Sequence, residues 1–333
     1  MIKIFSPLKE GKITGNHVTA NRYALHLQKL GYSTEICSTS QKKLGVEKID
    51  CAFVLHAEKG RQIVKKMTAN RVPVVLILTG TDLYRDIKSQ NRCIRDNCLE
   101  SIRSASAIIV LHKNAVFDLL KIISIPRERI FVILQSVESF VRRKIFFEVK
   151  KSYRILILGN IRQEKGIEVA ISGFLDFHKS IDDKHEFSLE HIGDILDQSY
   201  FRKIKNDLEE VRDIKFLGAM ERERLRAVFA SYDLLLHSSF IEGGSLVIQE
   251  AQNAGVPIIA SDISCHISLL GADYIGLHTC GSKKDVTKKL QAFFFDKFFR
   301  KNMELQLSRC SAASATVTAE RNGLSRVLSY IQT

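Results

Sequence analysis

Short apolar runs along this chain alternate with longer stretches in which apolar positions recur every three or four residues. The two periods predict strands and helices respectively. Ile2–Phe5, Ser33–Cys37, Asp50–His56, Val72–Leu78, Ala107–Leu111 and Ile130–Leu134 read as strands. Helical patterns separate most of them: Asn16 up to Gly31, Gln62–Asn70, Arg92–Ser104 and Asn114–Ile122. A basic connection over Val137–Ser152 follows, and the alternation then restarts with a strand at Tyr153–Leu158 and a helix at Ile167–Lys179. Further helices are expected over Arg222–Ala230 and Val317–Ile331. Strand–helix alternation predicts an α/β fold with parallel, doubly wound sheets. A chain of 333 residues divides into two domains of ordinary size, placed here at 1–150 and 151–314.

One block carries the strongest chemical signal. Leu234–Leu236 is a buried strand, Glu242-Gly243-Gly244 is a loop, Ser245 is expected to N-cap a helix, and Gly255 ends that helix before Pro257 opens the next strand. In an open α/β sheet, a loop leaving the carboxyl end of a strand is where ligands bind. The free N–H groups of the helix start favour an anion there. Glu242 lies in the loop and Glu250 two turns into the helix. Taken alone, this spacing also describes two solvated glutamates.

Composition narrows the partners. Fifty basic residues against 37 acidic ones leave a charge of +13, which favours anionic partners such as nucleotide phosphates. No nucleic-acid motif and no basic run with interleaved aromatics is present, so nucleic acid is not expected. Seven cysteines, with no Cys-x-x-Cys pair, suit reduced thiols and a cytoplasmic setting. No apolar run is long enough to insert stably in a membrane. The basic, Phe-rich stretch 288–306 is expected to form packed C-terminal helices rather than a membrane-surface helix. No cluster with metal-ligand spacing is found, so no metal and no cofactor are expected.

Three further loops sit where strands end. His56 closes one strand, and Thr79-Gly80-Thr81-Asp82-Leu83-Tyr84-Arg85-Asp86 follows the next. A lone strand-end histidine is by itself more often structural. Gly15 and Asn16 lie between the first strand and first helix, with no Gly-x-Gly-x-x-Gly, so a dinucleotide site is not indicated. Gly159-Asn160-Ile161-Arg162-Gln163-Glu164-Lys165-Gly166 follows the strand that opens the second set.

Glu242-x7-Glu250 followed by Ala251-x-x-x-Gly255-Val256-Pro257 closely resembles the nucleotide-sugar site of the family 4 glycosyltransferases of GT-B fold. The resemblance implies two Rossmann-like domains with parallel sheets facing across a cleft, and a C-terminal helix (about 315–333) packed back on the first. It implies that Glu242 approaches the donor sugar, that Gly243, Gly244, Ser245 and Leu246 hold the diphosphate, and that Glu250 holds the ribose hydroxyls. Lys165 matches the family lysine that neutralises the departing diphosphate. Asn160 stands where the family carries arginine, with Arg162 as a nearby substitute. Leu217 matches the segment beside the nucleoside base, His56 the family's cleft-facing histidine, and Gly15 a loop that borders the donor phosphates.

Distributed segments resemble one branch more closely, the selenosugar synthases of selenoneine biosynthesis. They are Gly15–Arg22, Leu55-His56-Ala57, Leu78–Asp86, Gln135-Ser136, Glu242-Gly243-Gly244 and Leu269–Tyr274. That branch joins a UDP-sugar, glucose or N-acetylglucosamine, to selenophosphate, with the UDP-sugar as co-substrate and no cofactor. The resemblance implies an acceptor site from Asn16, Arg22, Thr79, Gly80, Thr81, Asp82 and Arg85, with Lys59 nearby. Two alternatives stay open: a family 4 enzyme acting on a hydroxyl of a lipid or glycan, and a nucleotide-sugar-binding protein without turnover.

Overall fold

The computed structural model describes the chain from Met1 to Gln332 except residues 8–13, 42–44, 47, 139, 141–149, 182–184, 207, 209–212 and 312–315. Most of the first loop and of the basic connection therefore lie outside the described residues. The chain splits into two compact units, Met1–Ser136 with Ala315–Thr333, and Val137–Ser314. The division falls at Ser136, before the basic connection, where the sequence reading puts it after.

The first unit runs β1 (Ile2–Ser6), α1 (Gly15–Lys29), β2 (Thr34–Ser38), β3 (Cys51–Leu55), α2 (Arg61–Ala69), β4 (Val74–Ile77), α3 (Thr81–Tyr84), α4 (Arg92–Ser104), β5 (Ala107–Val110), α5 (Asn114–Leu120) and β6 (Ile130–Val132). Its six strands form a parallel sheet in the order β2-β1-β3-β4-β5-β6. Residues on β3, β4 and β5 are buried throughout, as expected of strands covered on both faces. One face packs Val54, Leu76 and Ile108 against α2 and α4; the other packs Phe53, Ile77 and Ile109 against α1 and the C-terminal helix.

The second unit runs β7 (Ser152–Leu158), α6 (Ile167–His178), β8 (Glu186–Ile192), α7 (Gln198–Asn206), β9 (Ile214–Phe216), α8 (Arg222–Phe229), β10 (Leu234–His237), α9 (Leu246–Ala254), β11 (Ile258–Ser261), α10 (Ser264–Leu270), β12 (Leu277–His278), α11 (Lys283–Phe295) and α12 (Lys297–Ser311). The parallel order is β12-β11-β10-β7-β8-β9, so β7 and β10 are central and their carboxyl-end loops are neighbours. α13 (Val317–Gln332) returns to the first unit, where Leu324, Val327 and Leu328 enter its core. Gly323 of that helix lies against Ile133.

A buried carboxylate fixes α13 in place. Glu320 accepts from Arg22 Nε through both oxygens (2.9 and 3.0 Å), from the Ser136 amide (3.0 Å) and from the Ser136 hydroxyl. His26 Nε2 lies 3.1 Å from its Oε2. Burial raises the carboxyl pKa, and the His26, Arg22 and Ser136 contacts together bring it below its ordinary value. This gives Arg22 a structural task, joining α1 to α13, that the sequence did not show.

Candidate active site

In the second unit, close backbone approach sets the geometry. Gly166, at φ +56°, sits so near β10 that a Cβ there would lie 2.1 Å from the Ser238 carbonyl oxygen. Phe240 and Ile241 N–H groups donate to the Glu164 carbonyl at 2.9 and 3.4 Å. The loops after β7 and β10 are thereby stitched together, and Lys165 arrives beside Glu242. Lys165 Nζ donates to Glu242 Oε1 at 2.6 Å, Ser239 Oγ donates to the same oxygen at 2.8 Å, and His237 Nε2 lies 3.0 Å from it. Burial pushes the Glu242 carboxyl up, but Lys165 and the His237 hydrogen bond hold it well below the carboxylate range. Burial lowers His237 in turn, with Glu242 opposing, so the imidazole is neutral near pH 7.

The helix start behind this carboxylate departs from the sequence expectation. Ser245 occupies the N-cap position, but its side chain makes no capping bond. A capping serine needs extended backbone, whereas Ser245 sits at φ +23°, and its hydroxyl turns 3.2 Å from His237 Nε2. Gly244 is held by Gln249 Nε2, which donates to its carbonyl at 2.9 Å. The first amides of α9 therefore have no side-chain cap.

Glu250 faces elsewhere along α9. It is buried and accepts from Arg222 Nη2 at 3.0 Å. Asn160 Oδ1 accepts the Asp194 amide at 3.0 Å, joining the β7 and β8 loops. Arg162 Nε is buried with no acceptor among the described residues. Leu217 is largely exposed, its amide bonded to the His191 carbonyl.

Among the described residues, the fold brings together one group of metal-type side chains that the sequence did not suggest. His237, Glu242 and His266 offer ligand atoms within 4.8 Å of one another. Two histidines and a carboxylate suit zinc by donor type. The Lys165 ammonium, however, already occupies Glu242 Oε1, which opposes a second cation there. His266 Nδ1 faces the Ser261 carbonyl at 2.8 Å, and burial followed by repulsion from His237 lowers its pKa to about 3.

In the first unit, Asp82 organises the Thr79–Asp86 turn. Its buried carboxylate accepts the amides of Ala57, Thr79, Gly80 and Leu83 at 2.9–3.1 Å. Those bonds give it a scaffolding role, where the family resemblance implies an acceptor contact. The turn places Thr81 Oγ1 3.0 Å from His56 Nε2, with Asp86 Oδ2 at 3.5 Å. His56 Nδ1 accepts the Lys59 amide, so Nε2 carries the proton of the neutral ring. His56 also stands at φ +75°, an uncommon conformation for a side chain of its size. Arg85 pairs with Asp86 at 2.8 Å. α1 begins at Gly15, capped by Thr14, so Asn16 lies in its first turn rather than at its start. His56, Thr81 and Arg85 are thus brought together, whereas Arg22 is held by α13.

A family model described as glycosyl transferases group 1 matches residues 139–306, more than half of the chain. The chain belongs to that family. This glycosyltransferase is 23% identical over 283 residues to the glycosyltransferase 1 domain-containing protein 1 of Xenopus tropicalis, covering 79% of each. It is 25% identical to the N-acetyl-alpha-D-glucosaminyl L-malate synthase of Bacillus anthracis, over 77% of this chain and 69% of that one. Among solved structures, Anabaena HepE in complex with UDP and glucose superposes with a TM-score of 0.75 at 15% identity, covering 98% of this chain and 99% of that one. Sucrose-phosphate synthase from Thermosynechococcus elongatus gives 0.76 at 14% identity, covering 98% of both. The glycosyltransferase therefore has the GT-B architecture, two Rossmann-like units with six-stranded parallel sheets.

Sequence reading missed His237, Ser239, His266 and Arg222. Only His237 carried a signal, its place at a strand's carboxyl end like that of His56.

Proposed function

We propose that this glycosyltransferase moves a hexose or N-acetylhexosamine from a UDP-sugar to selenophosphate, forming a selenium–carbon bond as UDP leaves. The donor half rests on the second unit. Lys165 has three N–H donors and gives one to Glu242, so two remain for diphosphate oxygens. Arg162 Nε and the uncapped amides of α9 supply further donors to the same anion. Negative charge grows on the diphosphate as the C1–O bond breaks, and fixed cations stabilise it without reorganising. Glu242, ionised and held through Oε1, offers its second oxygen to a sugar hydroxyl, and Glu250 with Arg222 bounds the ribose. UDP-containing complexes of HepE and the glucosaminyl transfer named for the malate synthase support this donor class.

The acceptor rests on the Thr79–Asp86 turn, the single observation that carries it. The Gly-Thr-Asp-Leu-Tyr-Arg-Asp segment resembles the selenosugar branch, and Asp82 shapes a loop in which Arg85 is exposed and Thr81 half-buried, with His56 buried behind Thr81. A selenophosphate is already an ionised, soft nucleophile. It needs donors for its phosphate oxygens more than it needs a strong base, and this polar turn fits that need better than a lipid tail. The test is UDP release from UDP-glucose and UDP-N-acetylglucosamine, each with selenophosphate, inorganic phosphate or a hydroxyl acceptor. Release that depends on selenophosphate, with a selenium-containing sugar by mass spectrometry, supports the proposal. Release only with a hydroxyl acceptor replaces selenophosphate as acceptor, and binding without release removes turnover.

A further inference from the structure

We propose that the outer face of α11 and α12 docks this protein on an anionic lipid bilayer. The sequence reading treats the Phe-rich stretch as packed helices, and the structure satisfies only part of it. Phe293 and Phe294 are buried in the second unit's core, whereas Phe295 and Phe298 are 54% and 82% exposed and Leu305 is 49% exposed. Singly exposed apolar side chains are ordinary, and Phe117 in the first unit is 67% exposed; what sets this region apart is that three of them fall on two consecutive helices together with exposed cations.

The helical register turns these residues the same way as a set of cations. On α12, Phe298, Lys301, Asn302, Leu305 and Arg309 are exposed at spacings of three, four, seven and eleven, while Met303 and Leu307 on the opposite face are buried. On α11, Lys284, Lys288 and Phe295 are exposed at spacings of four and eleven. Lys297 joins them at the junction, beside Asp296, whose Oδ1 accepts the Phe298 and Phe299 amides. Among the described residues, Lys284, Lys288, Lys297, Lys301 and Arg309 have no carboxylate partner, unlike Lys283, which pairs with Asp176.

The mixture selects the occupant. The fully buried centre of a protein interface is depleted of lysine, which loses hydration there without compensation. An anionic bilayer rewards both components at once, since aromatic side chains enter the headgroup boundary while lysines and arginines stay in the negative surface potential. No helix among the described residues is long and apolar enough to cross a membrane, so the contact is peripheral.

Co-sedimentation of the full chain with phosphatidylcholine vesicles containing about one third phosphatidylglycerol tests this, with pure phosphatidylcholine alongside. Binding is expected to the anionic vesicles only, and to weaken as salt is raised. Phe298→Glu with Leu305→Glu should lower the partition about tenfold or more, and Lys297→Glu with Lys301→Glu should do likewise. Both variants alter exposed positions, so unchanged circular dichroism and unchanged UDP-sugar turnover in solution are expected. Failure to bind anionic vesicles at low salt overturns the proposal, as does binding by both variants that equals that of the natural protein. A dimer in sedimentation velocity that Phe298→Glu dissolves would also overturn it, by assigning the face to a second copy.

Discussion

The two units each bury a glutamate among a basic residue, a histidine and a serine, and use it differently. Glu320 in the first unit meets Arg22, His26 and Ser136; Glu242 in the second meets Lys165, His237 and Ser239. Arg22 and Ser136 occupy both oxygens of Glu320, and its side chain is fully enclosed. All three partners of Glu242 converge on Oε1, and the helix start beside it is uncapped. The residue types are nearly the same. The difference lies in how donors are distributed: a carboxylate saturated through both oxygens locks elements together, and one held through a single oxygen is positioned for something else. A further distinction is the cation. Arg22 meets Glu320 through Nε alone, which reaches both oxygens, whereas Lys165 gives one N–H to Oε1 of Glu242 and keeps two.

Breaking the open cluster should have the largest effect. Lys165→Ala removes the cation proposed to face the leaving diphosphate and is expected to lower kcat by roughly 10²–10³-fold, the usual cost of one such donor. Steady-state kinetics at saturating donor measure it, and a loss confined to KM would mean that Lys165 acts in binding alone.

Breaking the closed cluster should act on stability instead. Glu320→Gln leaves Arg22 and His26 without their buried counter-charge, a change that costs about 3 kcal/mol or more when one partner of a buried pair is removed. Hydrogen exchange in α1 and α13 should rise accordingly. The pH sign follows from the lowered carboxyl pKa. Its stabilisation is fully present above the ordinary value of 4.5 and is lost as pH falls through the lower folded value. Acid protection of α13 should therefore decline below that range in the natural protein and lose this component in Glu320→Gln. An acid profile identical in both would mean that Glu320 contributes no such linkage.

The first unit's architecture was legible because its buried strands are continuous apolar runs and its helices keep a clear period. The pair of glutamates at 242 and 250 was legible because they share one strand–loop–helix block. The Glu320 joint was not, since its partners Arg22 and Ser136 lie 298 and 184 residues away and no local pattern marks any of them. The same holds for Ser245, where the capping preference of serine is overridden by a hydrogen bond to His237 and a left-handed backbone. Propensity describes the isolated residue, and here the tertiary partner decides.

A smaller effect is expected at Glu250. Glu250→Ala removes the charged acceptor proposed for the ribose hydroxyls, which should weaken donor affinity by about 1.5–3 kcal/mol with little change in kcat. Unchanged UDP affinity by calorimetry would take Glu250 out of the donor site. The smallest effect is expected from chelation. If Lys165 and Arg162 carry the leaving-group charge, activity in EDTA should equal activity without it. Collapse on chelation, with recovery on adding zinc or magnesium, would make the His237–Glu242–His266 cluster or another site a required metal centre.

The distinction between the open and the closed carboxylate is tested most directly by calorimetric titration of UDP, in EDTA, into the natural protein, Lys165→Ala and Glu320→Gln. The natural protein and Glu320→Gln should bind UDP alike, and Lys165→Ala should bind it roughly tenfold more weakly or worse. Equal binding by Lys165→Ala and the natural protein, or no binding by either, would contradict the assignment of the Glu242 cluster as the donor site.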